Sequence, residues 1–153
     1  MAPHPRLHRP PRRGGRRVTE RYKRGVARQT ELGATRTEAY DALADIAPDL
    51  SRLAVEFAYG DVHARPGLDA ARRELVVIGA LITLGGVEPQ LRAHLETALN
   101  AGLRPGELVE AIMQALPYAG FPRVFGAMTL ARQVLDARGL LPVRPAGTDA
   151  IGP

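Results

Sequence analysis

Few side chains in this sequence can manage protons, and they lie close together. The stretch RRELVVIGALITLGGVEPQLRAHLETALNAG, residues 72–102, carries Glu74 at the head of an aliphatic run and His94 twenty positions later. An imidazole donates and accepts protons near neutral pH. A carboxyl beside apolar residues loses water, which favours its protonated form and keeps it available as an acid. Each residue also has a plainer reading. A single His on an apolar stripe can be a satisfied core residue, and a Glu in a first turn after Asp69 can serve the helix dipole. Glu107 and Glu110 read the same way in their own helix. Arg72 and Arg73, beside Glu74, can hold an anion bidentately or can be surface charges.

Other chemistries are excluded by composition. The chain has no cysteine, so it has no thiol nucleophile, redox pair or cysteine-ligated zinc. His8 and His63 are scattered and HExxH does not occur, so no metal site is expected. No phosphate-binding glycine loop, dinucleotide fingerprint or nucleophile elbow is present, and Gly85-Gly86 reads as a turn.

The elements that must position these residues are helices. A helix near residues 19–32 carries Val18, Tyr22, Val26 and Leu32 on a loose stripe. Thr37 is placed to cap a helix with Tyr40, Leu43 and Ile46. Leu50, Leu53, Ala54, Phe57 and Ala58 follow amphipathic α spacing, ending near Gly60. HARPGLD is a turn-rich connection that holds His63. Asp69 suits the N-cap of a helix to about Leu84 whose middle, LVVIGALITL, is apolar all round. Such a helix must be covered on every side, which in a chain this small implies subunit contacts. Pro89 and Gly102 bracket the helix of Leu91, His94, Leu95 and Ala98. Pro105 opens another with Leu108, Ile112, Ala115 and Leu116 inward, PYAGFP is a kink, and a last helix runs from about Pro122 to Arg138. Six or seven helices and no strand give an all-α bundle. An antiparallel fold-back at Gly85-Gly86 leaves Glu74 more than a turn from His94 along the pair, so a contact between them is expected to be long or bridged.

The 153 residues suffice for one domain. The net charge of +5 is unevenly spread. Residues 1–24 hold nine Lys and Arg against Glu20, while the remainder is net −3. Residues 1–18 read as a disordered Arg/Pro-rich arm, 19–139 as the helical domain and 140–153 as a flexible tail. The arm lacks an aromatic or base-reading pattern, so nucleic acid is not an expected partner. Neither a membrane span nor a secretory signal is visible, and a cytoplasmic location is expected.

Three segments, FAYGDVHARPGLDAARREL, ALITLGGVEPQLRAHLETALNAGLRPGELVEAI and YAGFPRVFGAMTLARQVL, resemble in that order the carboxymuconolactone decarboxylase family, over roughly residues 20–138. The wider superfamily contains alkylhydroperoxidase D-like proteins, whose CxxC and following His fall on Val87, Gln90 and His94. The thiols are missing, which excludes peroxide reduction by that route, whereas the His remains. The superfamily's upstream glutamate falls on Glu74.

The resemblance implies an alkylhydroperoxidase D-like bundle assembled as a homo-oligomer, usually a hexamer, with active sites near subunit contacts. It further implies a cofactor-independent decarboxylase of aromatic catabolism acting on a small carboxylate or lactone. Loss of CO₂ from γ-carboxymuconolactone leaves electrons that flow into the conjugated lactone carbonyl, so the protein need only hold anionic groups, stabilise the oxyanion and protonate carbon. On this reading His94 and Glu74 are catalytic, and His63, Arg65, Arg72, Arg73 and Tyr118 bind substrate. Two positions depart from the family. Position 63 is commonly aromatic but here is His63, which can add a second proton carrier. Glu74 stands where many decarboxylase-type members carry a small hydroxyl residue. An isomerase or cyclase on a biosynthetic intermediate is therefore the alternative, and a non-enzymatic assembly with a polyanion-binding arm is a third.

Overall fold

The computed structural model describes residues 18–34 and 42–144. The basic arm, Thr37, Tyr40 and the last nine residues lie outside the described residues. The helices are α1 (Glu20–Glu31), α2 (Leu50–Leu53) continuing as a π-helix (Ala54–His63), α3 (Ala70–Leu84), α4 (Glu88–Asn100), α5 (Pro105–Gln114), α6 (Leu116–Ala119) and α7 (Phe121–Ala137). No strand occurs among the described residues. The fold is the all-α, alkylhydroperoxidase D-like bundle that the sequence led us to expect. No helix of the described residues is long and apolar enough to cross a membrane.

Local chemistry sets the helix ends. Thr19 Oγ1 accepts from the Tyr22 amide at 3.0 Å, opening α1. Asp69 Oδ1 accepts from the Arg72 amide at 2.8 Å, the expected N-cap of α3. Gly85 and Gly86 both take φ of +69°, a region open to glycine, so the chain reverses sharply between α3 and α4. Pro89 sits in the first turn of α4, and Pro105 opens α5, where Glu107 Oε2 accepts from the Arg104 amide at 2.9 Å. PYAGFP forms the expected kink, with α6 ending at Gly120.

The main core lies among α3, α4, α5 and α7. Ile78 and Ile82 meet Leu91, Leu95 and Ala98, closed by Leu108, Ile112, Val124, Ala127, Ala131 and Val134. Burying these aliphatic side chains is the chief favourable term, on the order of 1.5–3 kcal/mol for each large one.

Several faces differ from their expectation. In α1, Val18 and Val26 are exposed, and the inward face is Gly25, Gln29 and the following Leu32. Residues 42–46 form turns rather than a helix, with Ile46 exposed. After Leu53 the backbone winds as a π-helix, which adds a residue to each hydrogen-bonded turn. Leu50 and Leu53 of α2 and Phe57 of the π-helix face outward, while Val55, Tyr59 and His63 of the π-helix face inward, four residues apart. In α3 only Glu74, Ile78 and Ile82 are fully covered within the chain, while Val76 and Leu84 stay exposed.

Two glycines set how closely α1 approaches the π-helix. A Cβ on Gly25 would stand 2.2 Å from the Val55 carbonyl oxygen, and one on Gly60 would stand 2.3 Å from that of Arg21. Backbone cannot move aside, so Gly60→Ala must separate the helices. The expected loss is about 1–3 kcal/mol of stability in urea unfolding. Gly79→Ala, where a Cβ meets nothing within 4 Å, serves as the control. Equal midpoints for the two variants would contradict this packing account.

The uncovered apolar side chains on two helices, Phe57 with Leu53 and Val76 with Leu84, leave the chain expected to self-associate. Light scattering at micromolar concentration is expected to return a multiple of the chain mass, and Phe57→Asp or Val76→Asp to reduce it. A stable wild-type monomer would contradict the expectation.

Candidate active site

Glu74 lies one turn into α3 and has 0% of its surface exposed. Its place follows from the turn before it. Asp69 caps the helix, and the Arg73 guanidinium ties the preceding loop down by donating to the Leu68 carbonyl at 3.1 Å, Val62 at 3.3 Å and Arg65 at 2.5 Å. Glu74 then faces inward in register with Ile78 and Ile82, each four residues on.

His94 comes to it from α4. Its Nδ1 lies 2.7 Å from Glu74 Oε2, a direct hydrogen bond, with 14% of the His94 side chain exposed. The contact was expected to be long or bridged, and it is neither. Glu74 lies eleven positions before Gly85 and His94 eight after Gly86. That three-residue offset is about 4.5 Å along the axis, less than one turn, and two long side chains close it.

His63 reaches the same carboxylate from the end of the π-helix. Its Nε2 stands 3.8 Å from Glu74 Oε1, too far for a hydrogen bond. Its ring stacks on Tyr59, with centroids 5.3 Å apart and planes at 27°. Burial lowers the His63 pKa from the ordinary imidazole value. Glu74 pulls it back up, and His94, Arg28 and Arg73 push it further down. Two atoms here are buried without a hydrogen-bond partner among the described residues, His63 Nδ1 and Glu74 Oε1. Such atoms are rare in folded proteins and recur where a ligand or a moving proton completes the set.

One buried carboxylate thus stands between two imidazoles. The oxygen at His94 Nδ1 fixes that ring's orientation and favours the proton on Nδ1 when the ring is neutral. The pair can share, give up and recover a proton with little movement. No group of three His, Asp or Glu among the described residues is arranged to hold a metal ion.

The other expected residues are placed differently. Arg65 is exposed at the rim of a cavity that His63 also lines. Arg72 points outward and pairs with Asp69. Arg73 is spent on three backbone carbonyls, so it shapes the loop under His63. Tyr118 lies on α6, 80% exposed, and among the described residues lines no cavity with His63. Two residues escaped the sequence reading, Arg24 and Arg28 of α1, which line the cavity beside His63. The available signal was their spacing, four apart on one helical face on either side of Gly25.

Comparison with known proteins agrees with this architecture. Residues 48–133 match the carboxymuconolactone decarboxylase family. The chain is 36% identical to the 4-carboxymuconolactone decarboxylase of Acinetobacter baylyi over 125 residues, 80% of this chain and 92% of that protein. It is 35% identical over 94 residues to an uncharacterized 15.0 kDa protein of Paracoccus denitrificans, covering 61% of this chain and 70% of that one. It is also 35% identical over 86 residues to the nitrosuccinic acid decarboxylase of Metarhizium robertsii, covering 55% of this chain and 58% of that one. With a family match over more than half its length and a relative spanned nearly end to end, the chain belongs to the carboxymuconolactone decarboxylase family.

Proposed function

We propose that the protein is a cofactor-independent decarboxylase of a small unsaturated carboxylic acid or carboxy-lactone, with Glu74 and His94 as its acid–base pair. The observation that carries this reading is the direct 2.7 Å bond between a carboxyl group with no exposed surface and the only imidazole of α4. Two relatives named as decarboxylases support the reaction class.

The substrate's C–CO₂⁻ bond breaks, and CO₂ leaves with the carboxylate's charge left behind as an electron pair. That pair flows through the neighbouring double bond to a carbonyl oxygen, forming an enolate. The protein then delivers one proton to carbon from the proton store that His94 and Glu74 share, and solvent restores it. A bimolecular protonation becomes a positioned one, which general acid catalysis accelerates by roughly 10²–10⁴-fold.

His63 favours one alternative. A second imidazole against the same carboxylate suits a reaction that takes a proton at one point and returns it at another, as an isomerase does. Product mass separates the two, because decarboxylation loses CO₂ and isomerisation conserves mass.

The test is incubation with γ-carboxymuconolactone, following product mass and CO₂. Wild-type protein is expected to release CO₂. His94→Gln preserves size and hydrogen bonding but carries no proton at neutral pH, so turnover is expected to fall roughly 10²–10⁴-fold with an unchanged circular dichroism spectrum. Near-wild-type turnover in a folded His94→Gln protein would reduce His94 to a core histidine.

A further inference from the structure

His63 ends the π-helix, and the residues that follow it, 64–69, are all exposed. A loop that buries no apolar side chain is held in place by its polar bonds. Its own backbone supplies little, with the Val62 carbonyl accepting from the Arg65 amide at 3.2 Å. The stronger tether is a single side chain. Arg73 donates from Nε to the Leu68 carbonyl at 3.1 Å, from Nη1 to Val62 at 3.3 Å and from Nη2 to Arg65 at 2.5 Å, a different nitrogen to each.

Arg73 directly precedes Glu74 on α3, and the carbonyls it holds lie on either side of the point where the chain leaves His63. The guanidinium therefore joins the two elements that carry Glu74 and His63. Helix packing joins them less directly. The π-helix packs chiefly against α1, and α3 packs against α4, α5 and α7. Ala70 of α3 meets the cluster around Tyr59. Across this junction His63 Nε2 stands 3.8 Å from Glu74 Oε1, beyond bonding distance. About 1 Å closer, the ring would bond, and Glu74 would have an imidazole on each oxygen. Two donors would hold the carboxyl group as its anion, and it would take up a proton less readily.

We propose that Arg73 is a positioning residue, whose three-pronged hold on the loop after His63 keeps that imidazole out of bonding distance of Glu74 Oε1. That oxygen has no hydrogen-bond partner among the described residues, so the carboxyl stays free to exchange its proton with His94. A lysine keeps the charge of Arg73 but not the hold, because its ammonium is one point on a flexible stem and cannot span three separated carbonyls as the planar fork does. What the spacing does for turnover rests on the decarboxylase reading, whereas the spacing itself does not.

The titration of His63 by NMR tests this on the full-length protein, with His63→Gln identifying the signal. His63 is met by Glu74 from α3, His94 from α4, Arg28 from α1 and Arg73, and its cavity also holds Arg24, Glu31 and Arg65. Burial is what lowers its pKa most, and the charge of Arg73 adds to the lowering. Releasing the loop lets water reach the ring and the ring reach Glu74, and both raise the pKa. In Arg73→Lys the charge remains, so a rise toward the ordinary imidazole value there reports the lost hold. Arg73→Gln is expected to raise it further. Arg72→Gln removes an equal charge one residue earlier, where the side chain points outward to Asp69, and is expected to leave His63 unchanged. A folded Arg73→Lys protein in which His63 titrates as in wild type would overturn the proposal, since charge alone would then account for Arg73. So would an equal rise in Arg72→Gln. Failure of Arg73→Lys to fold, read by circular dichroism, would overturn it too, because Arg73 would then hold the fold and not the spacing. Absence of decarboxylation by wild-type protein would count against the function proposed above and leave the His63 titration to decide this proposal.

Discussion

A carboxyl group entirely withdrawn from water is expensive to keep unless other polar groups receive it. Glu74 is such a group, and much of the chain around it can be understood as the means of receiving it. His94 bonds one oxygen, and His63 stands near the other. The glycine turn at Gly85-Gly86 brings α4 back along α3 at an offset small enough for that bond. The π-winding of Ala54–His63 rotates His63 inward, and Gly25 and Gly60 let α1 press close enough to cover the same segment. Removing the carboxylate therefore does more than delete one contact, because both imidazoles lose the group they share.

The surroundings divide the labour electrostatically. In the function proposed above, Glu74 and His94 form the side that handles a proton, and the α1 arginines with Arg65 form the side rich in positive charge. His63 lies between them, and burial above all, with His94, Arg28 and Arg73, lowers its pKa from the ordinary imidazole value against the pull of Glu74. In linkage terms, an imidazole whose folded pKa is lowered stabilises the fold above its unfolded pKa and ceases to do so as pH falls through that interval. The site is thus suited to neutral conditions and loses its His63 contribution on acidification.

The parts of this arrangement that repeat with a local period were legible in the sequence. Asp69 at the N-cap, Pro89 in a first turn, the Gly85-Gly86 reversal and the Leu91, Leu95, Ala98 face of α4 each follow from backbone chemistry or 3.6-residue spacing. Glu74 and His94 were legible as a pair only partly for that reason, since it took the family resemblance to single them out. The stripe of Leu50, Leu53 and Phe57 faces outward although its spacing is amphipathic, and nothing in AVEFAYGDVH announces the π-helix whose inward residues are Val55, Tyr59 and His63. Val76 and Leu84 were read as needing cover, but hydrophobicity alone does not say whether the covering surface belongs to the same chain, and within this chain both stay exposed. Arg24 and Arg28 share a helical face, but that spacing alone did not mark them as site residues, because the surface they meet lies some 35 to 41 positions away.

The central claim is that Glu74 binds two imidazoles into one unit, and histidine NMR of wild-type and Glu74→Gln protein tests it directly. Wild-type protein should show a hydrogen-bonded Nδ1 proton from His94, shifted downfield, and a His63 that titrates below the ordinary imidazole value. In Glu74→Gln that downfield proton should vanish and His63 should titrate lower still, because the attraction that holds its pKa up is gone. Unchanged signals from both His63 and His94 in the folded variant would contradict the account.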